Sequence, residues 1–267
     1  MIKSLFRYPG NKKRLCSTIL QYIRCDKFWE PFVGGGSLLL AVSQKYPDVE
    51  LYANDINPSV SDFWDIVSDI NSSRVNVLIE EIKNIPKMTL DIWKEIKKSP
   101  ASALRFIVLN MTSYNGYIHD KTGPIGGQIQ EGKKWNVNSL WNPRKIIYHI
   151  HEYHRLLSGR LKVENKSLFD SSLWGQEIFI YLDPPYWEQG KYLYAEFGQF
   201  DHQKLHQYLS GTKNHWILSY DVHTEVKKLY KDYEIIEVSG FSGAKHEEQI
   251  EYLISNRQFV SDQVGLW

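Results

Sequence analysis

The chain alternates short apolar runs with longer stretches in which apolar residues recur every three to four positions. The runs predict buried strands and the periodic stretches predict helices. This alternation is typical of an α/β fold with a Rossmann-like, mostly parallel sheet. Apolar runs lie at residues 49–53, 178–182 and 216–219, and helical periodicity at residues 59–70, 101–110, 144–157 and 201–209.

Two further runs, at residues 233–238 and 251–255, predict strands on either side of a turn that contains Gly240, Ser242 and Gly243. A hairpin at the end of the chain suits an antiparallel edge on an otherwise parallel sheet.

The periodicity stops between residues 112 and 142, where the chain is polar and rich in glycine. Long segments without regular structure are unusual inside a compact domain, and they commonly carry function. The alternative is a surface excursion without a role. Four aromatic residues favour the functional interpretation: Tyr114, Tyr117, Trp135 and Trp141.

A glycine-rich turn, residues 33–37, follows a predicted strand at residues 27–32 and precedes a helix. In Rossmann-like sheets such glycines let a ligand approach the backbone at the start of the helix. Asp55 lies about twenty positions after Gly36, a spacing typical of an acid that binds the hydroxyls of an adenosine ribose. A dinucleotide motif would have a third glycine at Leu39, so an adenosine ligand without phosphates is favoured.

A second turn lies near the start of the chain, where Pro9-Gly10-Asn11 forces a tight loop. The loop would let Tyr8 and Lys12 point into a neighbouring pocket, although a surface turn with a solvated lysine is an equal alternative. An amphipathic helix is predicted to follow, with Leu15, Ile19, Leu20 and Ile23 on one side.

The tetrapeptide Asp183-Pro184-Pro185-Tyr186 follows the predicted strand at residues 178–182, where open α/β sheets place their chemistry. Proline fixes its own φ and has no amide hydrogen, so the turn is stiff and sets a carbonyl acceptor beside the carboxylate. Two adjacent acceptors suit a planar amino group such as that of a nucleobase, which could stack on Tyr186. The alternative is a polar turn with a space-filling tyrosine.

The composition is that of an ordinary folded chain: 267 residues, 42% hydrophobic and 24% charged. No apolar stretch approaches the roughly 20 residues of a membrane span, and no signal sequence is recognisable, so we expect a cytoplasmic protein. Cys16 and Cys25 lack the spacing of a metal site, and we expect neither a disulfide framework nor a metal. The net charge is +1, but residues 117–166 carry a basic excess compatible with nucleic acid.

Together these motifs resemble those of the DNA adenine methylases of the Dam family, in the same order over essentially the whole chain. The resemblance implies a methyltransferase sheet that binds S-adenosyl-L-methionine. The segments that carry it are residues 6–12, 30–37, 54–57, 109–110 with 114–116, and Asp183-Pro184-Pro185-Tyr186.

The resemblance also implies roles for individual residues. Tyr8, Lys12, Asp55 and Asp183 would contact the cofactor. Phe32, Gly34 and Gly36 would line its site, and we add Phe169 to this set. Residues 1–57 and 161–267 would form the catalytic domain, and residues 58–160 an inserted, mainly helical domain that recognises double-stranded DNA.

Contacts with DNA are expected from side chains that can read base edges or bind phosphates. The residues after Tyr114-Asn115-Gly116 depart from the usual family pattern, so the common GATC target is not implied. A cognate restriction endonuclease in the same cell, without a stable complex, is a compatible partner. We assign DNA contacts to Asn115, His119, Lys121, Lys133, Lys134, Arg144 and Lys145.

The predicted reaction is transfer of a methyl group to the N6 amino group of an adenine swung out of the duplex, with Asp183, Pro184, Pro185 and Tyr186 as the catalytic residues and no metal. Cytosine N4 and RNA amino groups stay chemically possible. Cytosine C5 methylation is rejected, because neither cysteine follows a proline or a strand. A catalytically silent DNA-binding relative and a nicotinamide oxidoreductase are the alternatives from other classes.

Overall fold

The computed structural model describes residues 2–7, 12, 15–187, 200–241 and 248–260. Tyr8, most of the segment between Trp187 and Phe200, and the turn residues Ser242 and Gly243 therefore lie outside the described residues.

Within these ranges seven strands form one sheet. They are β1 (Lys27–Glu30), β2 (Glu50–Asn54), β3 (Leu161–Glu164), β4 (Phe179–Leu182), β5 (Trp216–Asp221), β6 (Glu234–Phe241) and β7 (Glu248–Ser255). Their order across the sheet is β3-β2-β1-β4-β5-β7-β6. The first five run parallel, and β7 pairs antiparallel with both β5 and β6. The predicted α/β fold with a mostly parallel sheet and an antiparallel edge hairpin is confirmed.

The strand order reverses at β1: β2 and β3 lie on one side of it, β4 and β5 on the other. Such a reversal opens a crevice at the carboxyl ends of the strands, where open α/β sheets bind their ligands. The residues directly after β1, β2 and β4 are Pro31, Asp55 and Asp183.

Most of the described helices begin at a residue whose side chain caps the helix N-terminus. Asn57 accepts a hydrogen bond from the Ser59 amide and precedes Pro58 in the first turn of its helix, and Ser102 and Asn142 cap two others. In chain order the helices are α1 (Cys16–Ile19), α2 (Ser37–Lys45), α3 (Pro58–Ser68), α4 (Ser73–Lys83), α5 (Leu90–Lys98), α6 (Ala103–Thr112), α7 (Pro143–Leu157), α8 (His202–Gly211) and α9 (Thr224–Leu229).

Helix α1 is shorter than the apolar spacing predicts. Leu20 and Ile23 are buried as expected, but the helix ends at Ile19. Beyond it the amides of Gln21 and Tyr22 bond to carbonyls three residues back, so the chain tightens into a turn instead of continuing the helix.

The region between β2 and β3 packs on the sheet through an aromatic cluster. The ring of Phe6 lies 4.9 Å from Phe63 and 4.4 Å from Phe106. These residues belong to the same continuous core as Phe28 of β1 and Leu51 of β2. Residues 58–160 therefore share a core with the sheet, and their separation as a distinct domain stays a prediction.

Residues 112–142 contain little regular structure, as the loss of periodicity predicts. They hold the short 3-10 turn Tyr114–Gly116 and one isolated bridge. Gln130 stabilises the segment by an internal contact, because its side chain accepts a hydrogen bond from the Val137 amide at 2.8 Å. The buried Trp141 anchors the end of the segment by donating to a backbone carbonyl at 2.7 Å.

Among the residues that the model describes, no helix is both long and apolar enough to cross a bilayer, and no three potential metal ligands converge. Cys16 and Cys25 are partly buried against the main core.

Candidate active site

The predicted chemistry meets at one edge of the sheet, because parallel strands bring their carboxyl ends to the same side. Asp55 follows β2 and Asp183 follows β4, with β1 between them. Two strand spacings, roughly 10 Å, separate the ends of β2 and β4 across the sheet. That span is long enough to hold an extended small molecule between them.

Asp55 ties the glycine turn to the end of β2. Its carboxylate accepts hydrogen bonds from the amide of Gly34 at 3.0 Å and from the amide of Asn57 at 2.9 Å. Burial raises the pKa of Asp55 to about 6, against the lowering effect of these two bonds. The residue therefore has a structural role in the turn besides the ligand contact that its spacing predicts.

Packing within the protein explains why this turn contains glycine. Gly36 has φ of 62°, and a Cβ placed there would lie 2.2 Å from the ring of Trp64. The Trp64 indole also donates to the Gly34 carbonyl at 2.9 Å. Both the left-handed backbone and the tryptophan thus require glycine at position 36. The predicted close approach of a ligand to Gly34 and Gly36 stays a prediction.

Four side chains from distant parts of the chain form what we call the catalytic cluster: Lys12, Asp183, Tyr186 and Glu251. The Lys12 Nζ lies 2.8 Å from Asp183 Oδ1 and 3.3 Å from Glu251 Oε2. It also donates to the Tyr186 hydroxyl at 2.7 Å, and that hydroxyl donates to Glu251 Oε2 at 2.8 Å. Lys12 is only 5% exposed, so its charge is balanced inside the protein by two carboxylates.

The surroundings set the protonation of this cluster. Burial raises the pKa of Asp183 to about 6; the Lys12 ammonium lowers it and the Glu251 carboxylate raises it. Burial lowers the pKa of Lys12, but the two carboxylates outweigh it, and the pKa ends above its ordinary value. Burial raises the pKa of Tyr186 well above its usual range, so its hydroxyl keeps the proton that it donates.

Glu30, the last residue of β1, is a further acid at this edge. It is 4% exposed, and its Oε2 is buried without a hydrogen-bond partner among the described residues. Burial and then the charge of Asp183 raise the pKa of Glu30 well above its ordinary value. A buried, unpartnered carboxyl oxygen is costly, and a cationic or hydrogen-donating ligand would relieve that cost.

Aromatic rings line the same edge. Phe200 lies 5.6 Å from Phe32, edge to face, and 6.2 Å from Phe169, stacked with it. Phe32 follows β1 and Phe169 follows β3, and all three rings are partly exposed. Partly exposed aromatic faces suit a planar ring such as a purine.

The expected DNA-contacting loop begins beside this edge. The Asn110 side chain accepts from the Arg7 amide at 2.9 Å and donates to the Gly116 carbonyl at 3.1 Å. Asn115, which is exposed and left-handed with φ of 52°, is thereby held next to the N-terminal segment that leads to Lys12.

The other residues assigned to DNA lie apart from the catalytic cluster. Lys121, Lys133 and Lys134 are exposed along the loop, and His119 is half-buried with its ring 5.5 Å from Tyr117. Arg144 and Lys145 are exposed in the first turn of α7.

The structure places the described cofactor and catalytic residues of the sequence analysis at this one edge: Lys12, Phe32, Gly34, Gly36, Asp55, Phe169 and the tetrapeptide from Asp183 to Tyr186. Sequence reasoning missed Glu251 and gave Glu30 no role. The sequence offered one signal, since Glu30 ends an apolar run and Glu251 precedes one. The pairing of the strands was needed to show that the two acids lie at the same edge of the sheet.

Comparison with known families decides among the possible amino-group chemistries. Residues 8–243 match the family model of the D12 class N6 adenine-specific DNA methyltransferases. This chain belongs to that class. The resemblance to the Dam-type adenine methylases is thereby confirmed: the protein is a DNA methyltransferase, and DNA is its substrate.

Two curated relatives of this methyltransferase have similar lengths. It is 26% identical over 214 residues to Type II methyltransferase M.MjaIII of Methanocaldococcus jannaschii, a match that covers 69% of each chain. It is 22% identical over 239 residues to Type II methyltransferase M.CviBI of Paramecium bursaria Chlorella virus NC1A, with 87% of this chain and 88% of that one covered.

Among solved structures, a precorrin-6y C5,15-methyltransferase from Geobacter metallireducens GS-15 is similar at 8% identity and a TM-score of 0.38. The match covers 91% of this chain and 85% of that one. A score of this size adds nothing to the assignment.

Proposed function

We propose that the methyltransferase transfers a methyl group from S-adenosyl-L-methionine to the N6 amino group of an adenine that is turned out of double-stranded DNA at a specific sequence. The observation that carries this proposal is the position of Asp183-Pro184-Pro185-Tyr186. It follows β4 at the switch point of the sheet, in contact with Lys12 and beside the ends of β1 and β2.

The residues present fit the proposed cofactor. Asp55 would accept the ribose hydroxyls, the rings of Phe32 and Phe169 would hold the adenine, and the unpartnered Glu30 oxygen would face the cationic end. Roles for Lys12, Gly34 and Gly36 in this site are part of the proposal, as is that of Tyr8, which lies outside the described residues. When bound, S-adenosyl-L-methionine supplies a methyl group on a positively charged sulfur that is open to attack by a nucleophile.

The protein's part in the reaction is to prepare the amino group of the substrate. The ion pair with Lys12 engages Oδ1 of Asp183, so Oδ2 can accept one amino hydrogen while the Pro184 carbonyl accepts the other. Two acceptors draw the nitrogen toward tetrahedral geometry and make its lone pair available. Held proximity and fixed charges then supply most of the rate enhancement.

Tyr186 is suited to hold the flipped base. Its hydroxyl is fixed by Lys12 and Glu251, and its ring is partly exposed. A ring that is fixed at one end offers a pre-organised stacking surface.

DNA recognition is proposed to lie in residues 112–141, with phosphate contacts from the basic residues around them. Arg144 and Lys145 stand in the first turn of α7, where a positive charge opposes the helix dipole. Their position is therefore unfavourable for the helix itself and supports a role in binding an external anion. Asn115, His119, Lys121, Lys133 and Lys134 supply the polar groups of the loop.

The printed names of the relatives suggest a biological setting. Both are called Type II methyltransferases, which supports modification of host DNA against a restriction endonuclease that acts separately. We propose the same setting here, without a stable complex.

The decisive experiment is methylation of DNA by the purified protein, followed by identification of the modified base. We expect N6-methyladenine in one sequence context, read by long-read sequencing of DNA from cells that express the protein. N4-methylcytosine, or methylation of RNA alone, would contradict the proposal. S-adenosyl-L-methionine should raise the melting temperature and NAD should not.

A further inference from the structure

Glu251 reaches the catalytic cluster from the antiparallel strand β7. In the sheet register it pairs with Asp221, the last residue of β5. An antiparallel strand begins at the edge where its parallel neighbours end, so Glu251 lies at the same edge as Asp183.

The two polar contacts that Glu251 makes with described side chains converge on a single oxygen. Oε2 lies 3.3 Å from the Lys12 ammonium and accepts from the Tyr186 hydroxyl at 2.8 Å. The Glu251 side chain is 14% exposed and that of Lys12 is 4% exposed. Charged hydrogen bonds in such a shielded place are strong and hold their partners in fixed positions.

Lys12 is therefore shared between two carboxylates. Without the charge of Glu251, Asp183 would be the one described carboxylate in direct contact with this ammonium, which would then compete more strongly with the substrate amino group for it. Tyr186 would also lose the acceptor that fixes its hydroxyl. Both changes would disturb groups that are proposed to touch the base.

We propose that Glu251 is a positioning residue for methyl transfer: it draws Lys12 away from exclusive pairing with Asp183 and fixes the ring of Tyr186 beneath the target base. This inference rests on the proposed function.

The test compares Glu251→Gln with Glu237→Gln, a matched change of an exposed glutamate on β6. Steady-state kinetics on DNA should show kcat reduced about tenfold or more in Glu251→Gln, with KM changed less than about threefold, because alignment rather than binding is lost. Glu237→Gln should behave as wild type. A base analogue that fluoresces when unstacked, placed at the target, should report a less ordered base in Glu251→Gln.

The pH profile separates positioning from simple stabilisation. The charged or titratable groups around Asp183 are Lys12, Glu30, Glu251 and the tyrosines 181, 186 and 220, of which the tyrosines stay neutral. The charge of Glu251 raises the pKa of Asp183, so its removal should move the acidic limb of kcat/KM to lower pH. A residue that only stabilises the fold would leave that limb in place.

The outcomes are distinct. If wild type does not methylate adenine, the proposed function fails, and this inference fails with it. If wild type is active but Glu251→Gln keeps its kcat and its acidic limb, only the role of Glu251 is wrong. Should Glu251→Gln not fold, Glu251→Asp keeps the charge and shortens its reach; a kcat equal to wild type in Glu251→Asp would then overturn the role.

A second, independent feature is a groove of about 960 Å³ beside α5. Its lining includes Asn57 and Pro58 at the start of α3, close in sequence to Asp55, and Asp120 and Gln128 of the loop. The charged side chains that line it, among the described residues, are one carboxylate, Asp120, and four basic groups: Lys94, Lys97, Lys98 and Arg105.

Two of these cations already have partners in the fold. Lys97 donates to the Thr122 carbonyl at 2.6 Å, and Arg105 pairs with Asp120 at 3.0 Å. Lys94 and Lys98 are exposed. We infer that the groove takes the sugar-phosphate backbone of DNA through Lys94 and Lys98 as the duplex passes from the loop to the sheet edge.

The double variant Lys94→Gln/Lys98→Gln tests this inference. Each phosphate contact contributes about 0.9 to the slope of log affinity against log salt concentration. We expect the slope for duplex DNA to fall by about 1 to 2, with the ratio between target and non-target sequences unchanged. The control Lys227→Gln/Lys231→Gln changes two exposed lysines near α9. An unchanged slope, or the same change in the control, would overturn the groove assignment.

Discussion

The ammonium of Lys12 lies 2.8 Å from the carboxylate of Asp183, although Lys12 belongs to the first motif of the chain and Asp183 to the last. The pair joins Lys12, near the start of the chain, to the residue that follows β4. It engages Oδ1 of Asp183, and Oδ2 is the oxygen that is proposed to accept the amino hydrogen. The ion pair therefore orients the acceptor on which the proposed reaction depends.

Replacing Asp183 tests that dependence. Asp183→Ala should lower methyl transfer by at least about 100-fold, because it removes an acceptor needed in the transition state. Asp183→Asn keeps one acceptor oxygen and should retain a small residual rate. Methyl incorporation into DNA is measured together with the melting temperature, and Asp232→Ala, an exposed position, is the control. Wild-type turnover by Asp183→Ala would rule out this assignment.

The pH dependence follows from the raised pKa of Asp183. Burial, reinforced by Glu251 and opposed by Lys12, raises this pKa to about 6. Only the carboxylate accepts an amino hydrogen in the proposed way, so kcat/KM, which reports the free enzyme, should be level above pH 7 and fall about tenfold per pH unit below pH 6. A profile that stays level down to pH 5 would show that protonation of Asp183 does not limit the rate.

Asp55 should control cofactor affinity. Asp55→Ala should weaken binding of S-adenosyl-L-methionine by about 1.5 to 3 kcal/mol, the scale of charge-assisted hydrogen bonds. Because Asp55 also accepts from the amides of Gly34 and Asn57, a lower melting temperature should accompany the change. Titration calorimetry measures the affinity, with Asp48→Ala as an exposed control. Unchanged affinity would mean that Asp55 is purely structural.

The parts of the site that follow strands directly could be predicted from the sequence. Asp55 and Asp183 end apolar runs, and parallel strands bring such ends to one edge. Glu251 could not be found in this way, since its place depends on β7 running antiparallel beside β5. Nothing local marks that pairing, because the register between strands is set by contacts distant in sequence.

The types of the secondary-structure elements could also be predicted from the sequence, but not all of their lengths. Strand and helix types followed from periodicity, whereas α1 ended early because its apolar residues are buried by a turn instead of a continuous helix. The sequence also did not reveal why glycine is required at position 36. Its spacing indicated a ligand, and only the packing of Trp64 shows the steric requirement.

Gly36→Ala is therefore expected to destabilise the fold. The left-handed backbone costs about 1–2 kcal/mol for alanine, and overpacking against Trp64 adds about 1–3 kcal/mol. Urea unfolding should show a combined loss of about 2–5 kcal/mol. Gly211→Ala is the matched control, since nothing lies within 4 Å of a Cβ there. Equal stability of both variants would contradict the packing role.

Sequence specificity should reside in residues 112–141, and sequence-independent affinity in the basic residues around them. Asn115, Lys121 and Lys133 are exposed in the loop and carry groups that can read base edges. Gln130 is less suited, because its side chain is used inside the loop. Replacing Lys121 or Lys133 should change the preference for target over non-target DNA by about 1 to 3 kcal/mol per lost base contact.

Arg144 and Lys145 provide the contrast, because phosphate contacts carry no sequence information. The variant Arg144→Gln/Lys145→Gln should weaken binding to all sequences alike and reduce the slope of log affinity against log salt concentration by about 0.9 per lost phosphate.

Exchange of residues 112–141 with those of a relative of different specificity should change the methylated sequence to that of the relative. The start of the loop is held by Asn110 on α6, outside the exchanged segment, so its attachment beside Arg7 would be kept. If the exchanged protein is active and still modifies the original sequence, recognition lies in the helices before Thr112 or between Trp187 and Phe200.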